Sequence, residues 1–151
     1  MSKVSAIPHG MHTVTPALVF QNCAEALAFY AKAFGAVETS RAPDPSGKKI
    51  FHGSFTIGDS TFFCSDEFPE MGIRAQPARF WTYGEEIDAR FARAVEAGAQ
   101  AAMPPTDAFW GDRFGIVNDP FGHQWTLAQR MKDLSPAELK AAADAFFAQM
   151  K

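Results

Sequence analysis

The reactive chemistry available to this chain sits in few side chains: four histidines, two cysteines and the run Phe109-Trp110-Gly111-Asp112-Arg113-Phe114. His52 lies in a segment patterned like a strand, and a free imidazole titrates near neutrality, so it has the range of a general base for a bound ligand. No carboxylate adjoins it to orient the ring, and the other reading is an exposed strand histidine. His123 follows Asp119-Pro120-Phe121-Gly122, where an imidazole is placed to bond the backbone of the turn. His9 and His12 precede the first element and carry little weight. Cys64 would need a stabilised thiolate to act as a nucleophile; no Lys, Arg or His stands beside it, and a buried inert thiol is the alternative. In the 109–114 run, Gly111 permits a close approach of the chain, Trp110 offers a broad apolar surface, and Asp112 and Arg113 can pair with surface neighbours.

Composition limits what these residues serve. With 151 residues and 47% apolar content, the chain is the size of one domain, and at that size it buries enough surface to fold without metal or disulfide staples. Two cysteines are too few for a secreted disulfide scaffold, and no apolar leader opens the chain, which predicts a reducing, cytoplasmic setting. No apolar run reaches membrane-spanning length. Fourteen Lys and Arg against 17 Asp and Glu, with no basic cluster, argue against nucleic acid as a partner. Fifteen Phe and three Trp suit a small apolar or aromatic ligand, or serve as core.

The elements that must position these groups are legible from patterning. Residues 13–20 read as a strand. Asn22, with Glu25 three residues on, caps a helix over 23–34 whose apolar stripe is Leu27, Tyr30, Ala31 and Phe34, stopped by Gly35. Strands over 36–41, 50–57 and 61–65 follow, with turns at 44–47 and Gly58-Asp59, then a loop over 66–76. The order repeats: strand 78–83, helix 87–97 with stripe Ile87, Phe91, Ala94 and Val95 and stop Gly98, a short strand over 101–103, and strands 112–117 and 123–128. Residues 31–36 (AKAFGA) and 94–99 (AVEAGA) align at an offset of 63, which reads as a duplicated βαβββ unit. Ser135, Pro136 and Glu138 open a final helix to about 149. Its stripe of Leu139, Ala142, Ala143, Phe146, Phe147 and Met150 must cover something apolar, in its own chain or a partner's.

Three signatures stand in order: Phe29-Tyr30-x-x-x-Phe34-Gly35-Ala36, then Phe109-Trp110-Gly111-Asp112-Arg113-Phe114-Gly115, then Asp119-Pro120-Phe121-Gly122-His123. Over residues 10 to 130 the chain resembles the vicinal oxygen chelate superfamily, the glyoxalase and bleomycin-resistance fold, and within it the PhnB-like branch. The resemblance implies an α+β domain of two βαβββ modules, about 12–66 and 77–129, whose sheets curl around a cavity, usually paired into a homodimer. Metal-dependent members carry one ligand on the first and one on the last strand of each module. Carried onto this sequence, those positions are Thr15, Cys64, Trp81 and Thr126. Trp cannot ligate, Thr hydroxyls are poor ligands, and one thiol does not hold zinc; the expectation is therefore no metal and no cofactor.

Strand alternation assigns a cavity lining of Thr15, Ala17, Val19, Phe62, Cys64, Arg79, Trp81, Tyr83, Gln124 and Thr126, with Leu18, Phe20, Phe63, Trp125 and Leu127 under the helices. The ligand-binding set is Thr15, His52, Phe62, Cys64, Trp81, Tyr83, Trp110, Gln124 and Thr126. The function this implies is a metal-free homodimer that binds a small aromatic or amphiphilic molecule, akin to the drug-sequestering branch. A divalent-metal-dependent lyase, isomerase or dioxygenase is the alternative, and a scaffold whose own aromatics fill the cavity is a third.

Overall fold

The computed structural model describes residues 3–150. Its elements run β1 (Ala17–Phe20), α1 (Cys23–Phe34), β2 (Val37–Pro43), β3 (Ile50–Ile57), β4 (Ser60–Asp66), β5 (Arg79–Tyr83), α2 (Ile87–Ala97), β6 (Gln100–Asp107), β7 (Asp112–Asn118), β8 (Gln124–Arg130) and α3 (Pro136–Gln149). The chain divides between Gln76 and Pro77 into two compact units. Each is a βαβββ run with one four-stranded mixed sheet, ordered β1-β4-β3-β2 in the first and β5-β8-β7-β6 in the second. In both, the leading strand lies parallel to the last and the other pairs are antiparallel. This is the α+β architecture and the duplicated order that the sequence implies, with α3 appended.

The helices begin and end where their caps dictate. Asn22 accepts from Glu25 N–H, and Gly35 takes the left-handed conformation that stops α1. Ser135 and Glu138 form a reciprocal capping box at α3. Each of the first two helices also draws an acceptor from the last strand of its own unit. Asp66 on β4 accepts from Cys23 N–H through Oδ1 and from Ile50 N–H through Oδ2, and Gln129 on β8 accepts from Ile87 N–H. Positions 66 and 129 stand at the same 63-residue offset as the two helix stops. A carboxylate at one and an amide at the other satisfy amide donors that a buried first turn would leave unpaired.

Both helices cover one face of their sheet. In the first unit Phe55 and Phe62 stack at 4.9 Å and Tyr30 meets Phe20 and Phe55 edge-on or tilted. In the second, Phe80 packs on Trp125 at 4.6 Å, and Gly115 lies so close to Phe91 of α2 that a Cβ there would stand 2.8 Å from its ring. The buried stripe of α1 is Cys23, Ala26, Leu27, Tyr30 and Ala33; Ala31 faces outward, so the expected stripe was rotated toward Cys23 and Ala33. On α2, Ile87 and Ala94 are buried while Val95 is exposed.

Several boundaries differ from expectation. Strand β1 starts at Ala17 rather than 13, because Pro16 has no N–H to give a ladder, although its carbonyl accepts from Phe63 N–H. Strand β6 runs eight residues, through Pro104 and Pro105, because it is an edge strand with a bulged register against β7. The 66–76 connector holds a 3-10 turn over Pro69–Met71 and a bridge between Phe68 and Ile73.

Candidate functional site

Because each sheet has a helix on one face only, the opposite face of each is open to whatever binds there. Strand pairing decides which residues reach it, since partners across a ladder point the same way.

In the first unit β1 pairs with β4 as Ala17 with Phe63 and Leu18 with Cys64. Phe62 and Cys64 are accordingly buried with Leu18 and Phe20 beneath α1, and Phe63 and Ser65 stand on the open face with Ala17 and Val19. The expected lining is corrected here: the facing of Phe62, Cys64 and Phe63 is reversed, a one-residue slip in the alternation of β4. Thr15 precedes β1 and is half-buried. His52 is exposed on the open face and meets Phe63 edge-on at 4.7 Å. Beside it the Ser54 hydroxyl lies 2.6 Å from those of Thr39 and Ser40. Beneath the sheet, the Cys23 thiol is hydrogen-bonded to Cys64, and that bond with burial pushes it well above the ordinary thiol range. Both cysteines are buried free thiols.

The second unit carries the denser cluster. Pairing sets Trp81 beside Thr126 and Tyr83 beside Ala128, then Ile116 beside Thr126, Phe114 beside Ala128, and Asp112 beside Arg130, all on the open face. Trp81 stacks on Phe114 at 5.5 Å, Trp110 stacks on Phe114 at 5.3 Å, and the two indoles are 6.3 Å apart. Trp81 nonetheless stays 48% exposed and Tyr83 63% exposed. Thr126 is buried between them and Ile116, and Gln124 donates to Asn118 Oδ1.

Asp112 holds this cluster in place. At 5% exposure its Oδ2 accepts from the Tyr83 hydroxyl and from Trp110 Nε1–H, each at 2.8 Å. The bond to the carboxylate raises the Tyr83 phenol above its ordinary pKa, because the donor form is the one held. The Trp110 loop is fixed from its other side by Gly111, whose carbonyl accepts from Met131 and Lys132 N–H. Gly111 has φ +101°, and a Cβ there would stand 2.7 Å from Lys132 O, so only glycine fits. Tyr83, Gly84, Glu85, Trp110, Asp112, Gln129 and Arg130 line a pocket of about 580 Å³, within the range of small-molecule sites.

The expectation that Asp112 and Arg113 pair with surface neighbours holds for Arg113 and is corrected for Asp112, which is buried. Arg113 points to the helix side and pairs with Asp88 and Asp107, while Asp112 points to the open face. Phe114 was missed as a site residue. Alternation along β7 was the available signal, since it sets residues 112 and 114 on one face and 113 on the other. His123 Nδ1 accepts from Ala78 N–H, and burial holds its pKa below the ordinary value. The turn is held instead by Asp119, which accepts from Phe121 and His123 N–H and from Trp125 Nε1–H.

The residues present do not fit a divalent ion. Cys64 is turned beneath the sheet, Trp81 has no ligand atom, and Thr15 and Thr126 offer only hydroxyls. Among the described residues no three His, Cys, Asp or Glu come together in a group that could hold one.

Two βαβββ units with sheet order and helix placement alike, and an aromatic open face, define a recognisable class. A family model described as the Glyoxalase/Bleomycin resistance protein/Dioxygenase superfamily matches residues 10–127, and the chain belongs to that superfamily. It is 38% identical over 138 residues to an uncharacterised protein of Mycobacterium bovis, covering 85% of this chain and 90% of that one. Among solved structures it is similar to TioX from Micromonospora sp. ML1, at 21% identity and a TM-score of 0.68, covering 80% of this chain and all of TioX. It is also similar to a PhnB protein from Bacillus cereus, at 23% identity and a TM-score of 0.54, covering 78% of this chain and 99% of that one. At these identities the two structures speak to the fold.

Proposed function

We propose that this protein binds a small planar aromatic molecule on the open face of its second unit, without a metal. The observation that carries the reading is the group Trp81, Trp110 and Phe114: both indoles stack on Phe114, and Trp81 keeps about half its surface exposed beside a pocket of small-molecule size. Exposed aromatic surface is unfavourable in water, and an aromatic ligand laid on these rings would remove it while gaining offset stacking. Holding a ligand this way requires affinity and no acid–base machinery. The metal-dependent enzyme reading lacks support from the donor set described above.

The reading includes a homodimer in a reducing cytoplasm. The dimer is supported by α3, which has no buried residue and exposes Phe146, Phe147 and Met150. Native mass spectrometry measures the oligomer directly, and a monomer at working concentration would remove that part. The binding itself is tested by titrating planar aromatic compounds against thermal stability, where saturable stabilisation follows ligand concentration over its Kd. Trp81→Ala should abolish the shift while leaving the free protein folded, because the ring it removes is half exposed. Binding unchanged in Trp81→Ala would refute the site.

A further inference from the structure

We propose that the ligand of this face is an aromatic cation: a planar ring system carrying a protonated nitrogen whose N–H is taken by Asp112 Oδ1. The inference rests on the binding reading above and adds the charge of the molecule bound.

The argument starts from where the polar atoms of the pocket point. Of the side-chain donors at the stacked rings, the Tyr83 hydroxyl and Trp110 Nε1–H are spent on Asp112 Oδ2, and the Trp81 indole N–H is directed at the Tyr83 oxygen. Oδ1 takes no hydrogen bond from the described residues, and Asp112 lines the pocket with that oxygen uncommitted. Gln129 turns its amide oxygen toward α2 to accept from Ile87 N–H. Glu85, a second acidic residue, also lines the pocket. The lining guanidinium, Arg130, is paired with Asp133. Arg79 shares the open face but stands beyond Trp81, on the side away from Tyr83 and Asp112.

Beside the Gln129 amide N–H groups and the remaining N–H groups of the exposed Arg130, the lining offers a ligand the Asp112 Oδ1 acceptor and π faces. A carboxylate oxygen accepts only, so an incoming group must donate, and a charged donor makes the stronger bond. Indole and phenol faces carry negative quadrupole charge and attract a cation laid over them. An anion of the same shape would stack equally well but meet Asp112 and Glu85 as like charges. Shape therefore selects the ring and Asp112 selects its charge.

The test uses two probes of similar three-ring size and opposite charge, proflavine as the cation and anthracene-9-carboxylate as the anion, titrated into the full chain at low salt and read by emission anisotropy of the probe. Proflavine should bind at least tenfold tighter than the anion. Asp112→Asn should weaken proflavine about tenfold or more and leave the anion unweakened. Should Asp112→Asn fail to fold, the pair of probes on the unsubstituted protein decides alone. Equal Kd values for the two probes would overturn the cationic class while leaving the aromatic face as a binding site. A preference untouched by Asp112→Asn would overturn the role of Asp112. Failure of both probes to bind would take the binding reading down as well.

Discussion

Replacing Asp112 with Ala removes one acceptor that holds two aromatic side chains, and the cost can be worked from the geometry. Both bonds are 2.8 Å long and end on a charged oxygen of a residue only 5% exposed. Hydrogen bonds to charged groups contribute roughly 1.5–3 kcal/mol each. The Tyr83 ring is 63% exposed, so its hydroxyl can turn to water and most of that bond is replaced. Trp110 is half-buried, and its N–H has fewer alternatives. The expected loss for Asp112→Ala is therefore about 2–3 kcal/mol, or a fall in Tm of roughly 5–10 °C for a chain of this length. A second readout is the phenol of Tyr83. Its pKa is raised in the folded state, so the stabilisation it gives is fully present below its unfolded value, near 10, and is lost as pH rises through the folded value. Titration of tyrosinate absorbance should show Tyr83 ionising at lower pH in Asp112→Ala than in the unsubstituted protein. Tyr83→Phe, made alone and with Asp112→Ala, isolates the pair by a double-mutant cycle. A loss under about 0.5 kcal/mol with the tyrosinate curve unmoved would refute Asp112 as the anchor.

Other consequences follow from single residues. Gly111→Ala forces a Cβ to 2.7 Å from Lys132 O at φ +101°, and should cost about 2 kcal/mol or more in urea unfolding while freeing Trp110, seen as a red shift of its emission. The buried His123 has its pKa lowered in the folded state; the unfolded chain therefore takes the proton first as pH falls. Stability is full above about pH 6.5 and declines as pH drops toward the folded pKa, and His123→Gln should flatten that decline in denaturation midpoints taken from pH 8 to 5. Cys23 and Cys64 are buried, so Ellman's reagent should find neither thiol in the native protein and both in denaturant; rapid labelling of the native state would contradict their burial.

The βαβββ order and its duplication could be read directly, because they rest on local signals: caps at Asn22 and Ser135, glycine stops at Gly35 and Gly98, and apolar runs of strand length. Helix α2 has its predicted bounds, although no side chain caps it at Glu86, because Gln129 supplies the acceptor from a strand far along the chain. The aromatic face was partly legible too. Alternation places Trp81 and Tyr83 on one side of β5, and the 109–114 run drew attention to Trp110.

What local signals could not decide was facing and partnership. The facing of β4 hangs on a one-residue register between β1 and β4, fixed by the packing of Leu18, Phe20, Phe62 and Cys64 under α1 rather than by any residue of β4 alone. Asp112 and Arg113 are neighbours of opposite charge in the sequence, which reads as two residues that each pair with surface neighbours. On a pleated strand neighbours point to opposite faces, so one meets α2 and the other meets Tyr83, 29 residues away, and Trp110. The sequence by itself determined which elements form and which residue types are present to bind. Only the tertiary structure decided that a buried carboxylate would gather the aromatics of two segments onto one open face, because that depends on long-range strand pairing, which no local pattern encodes.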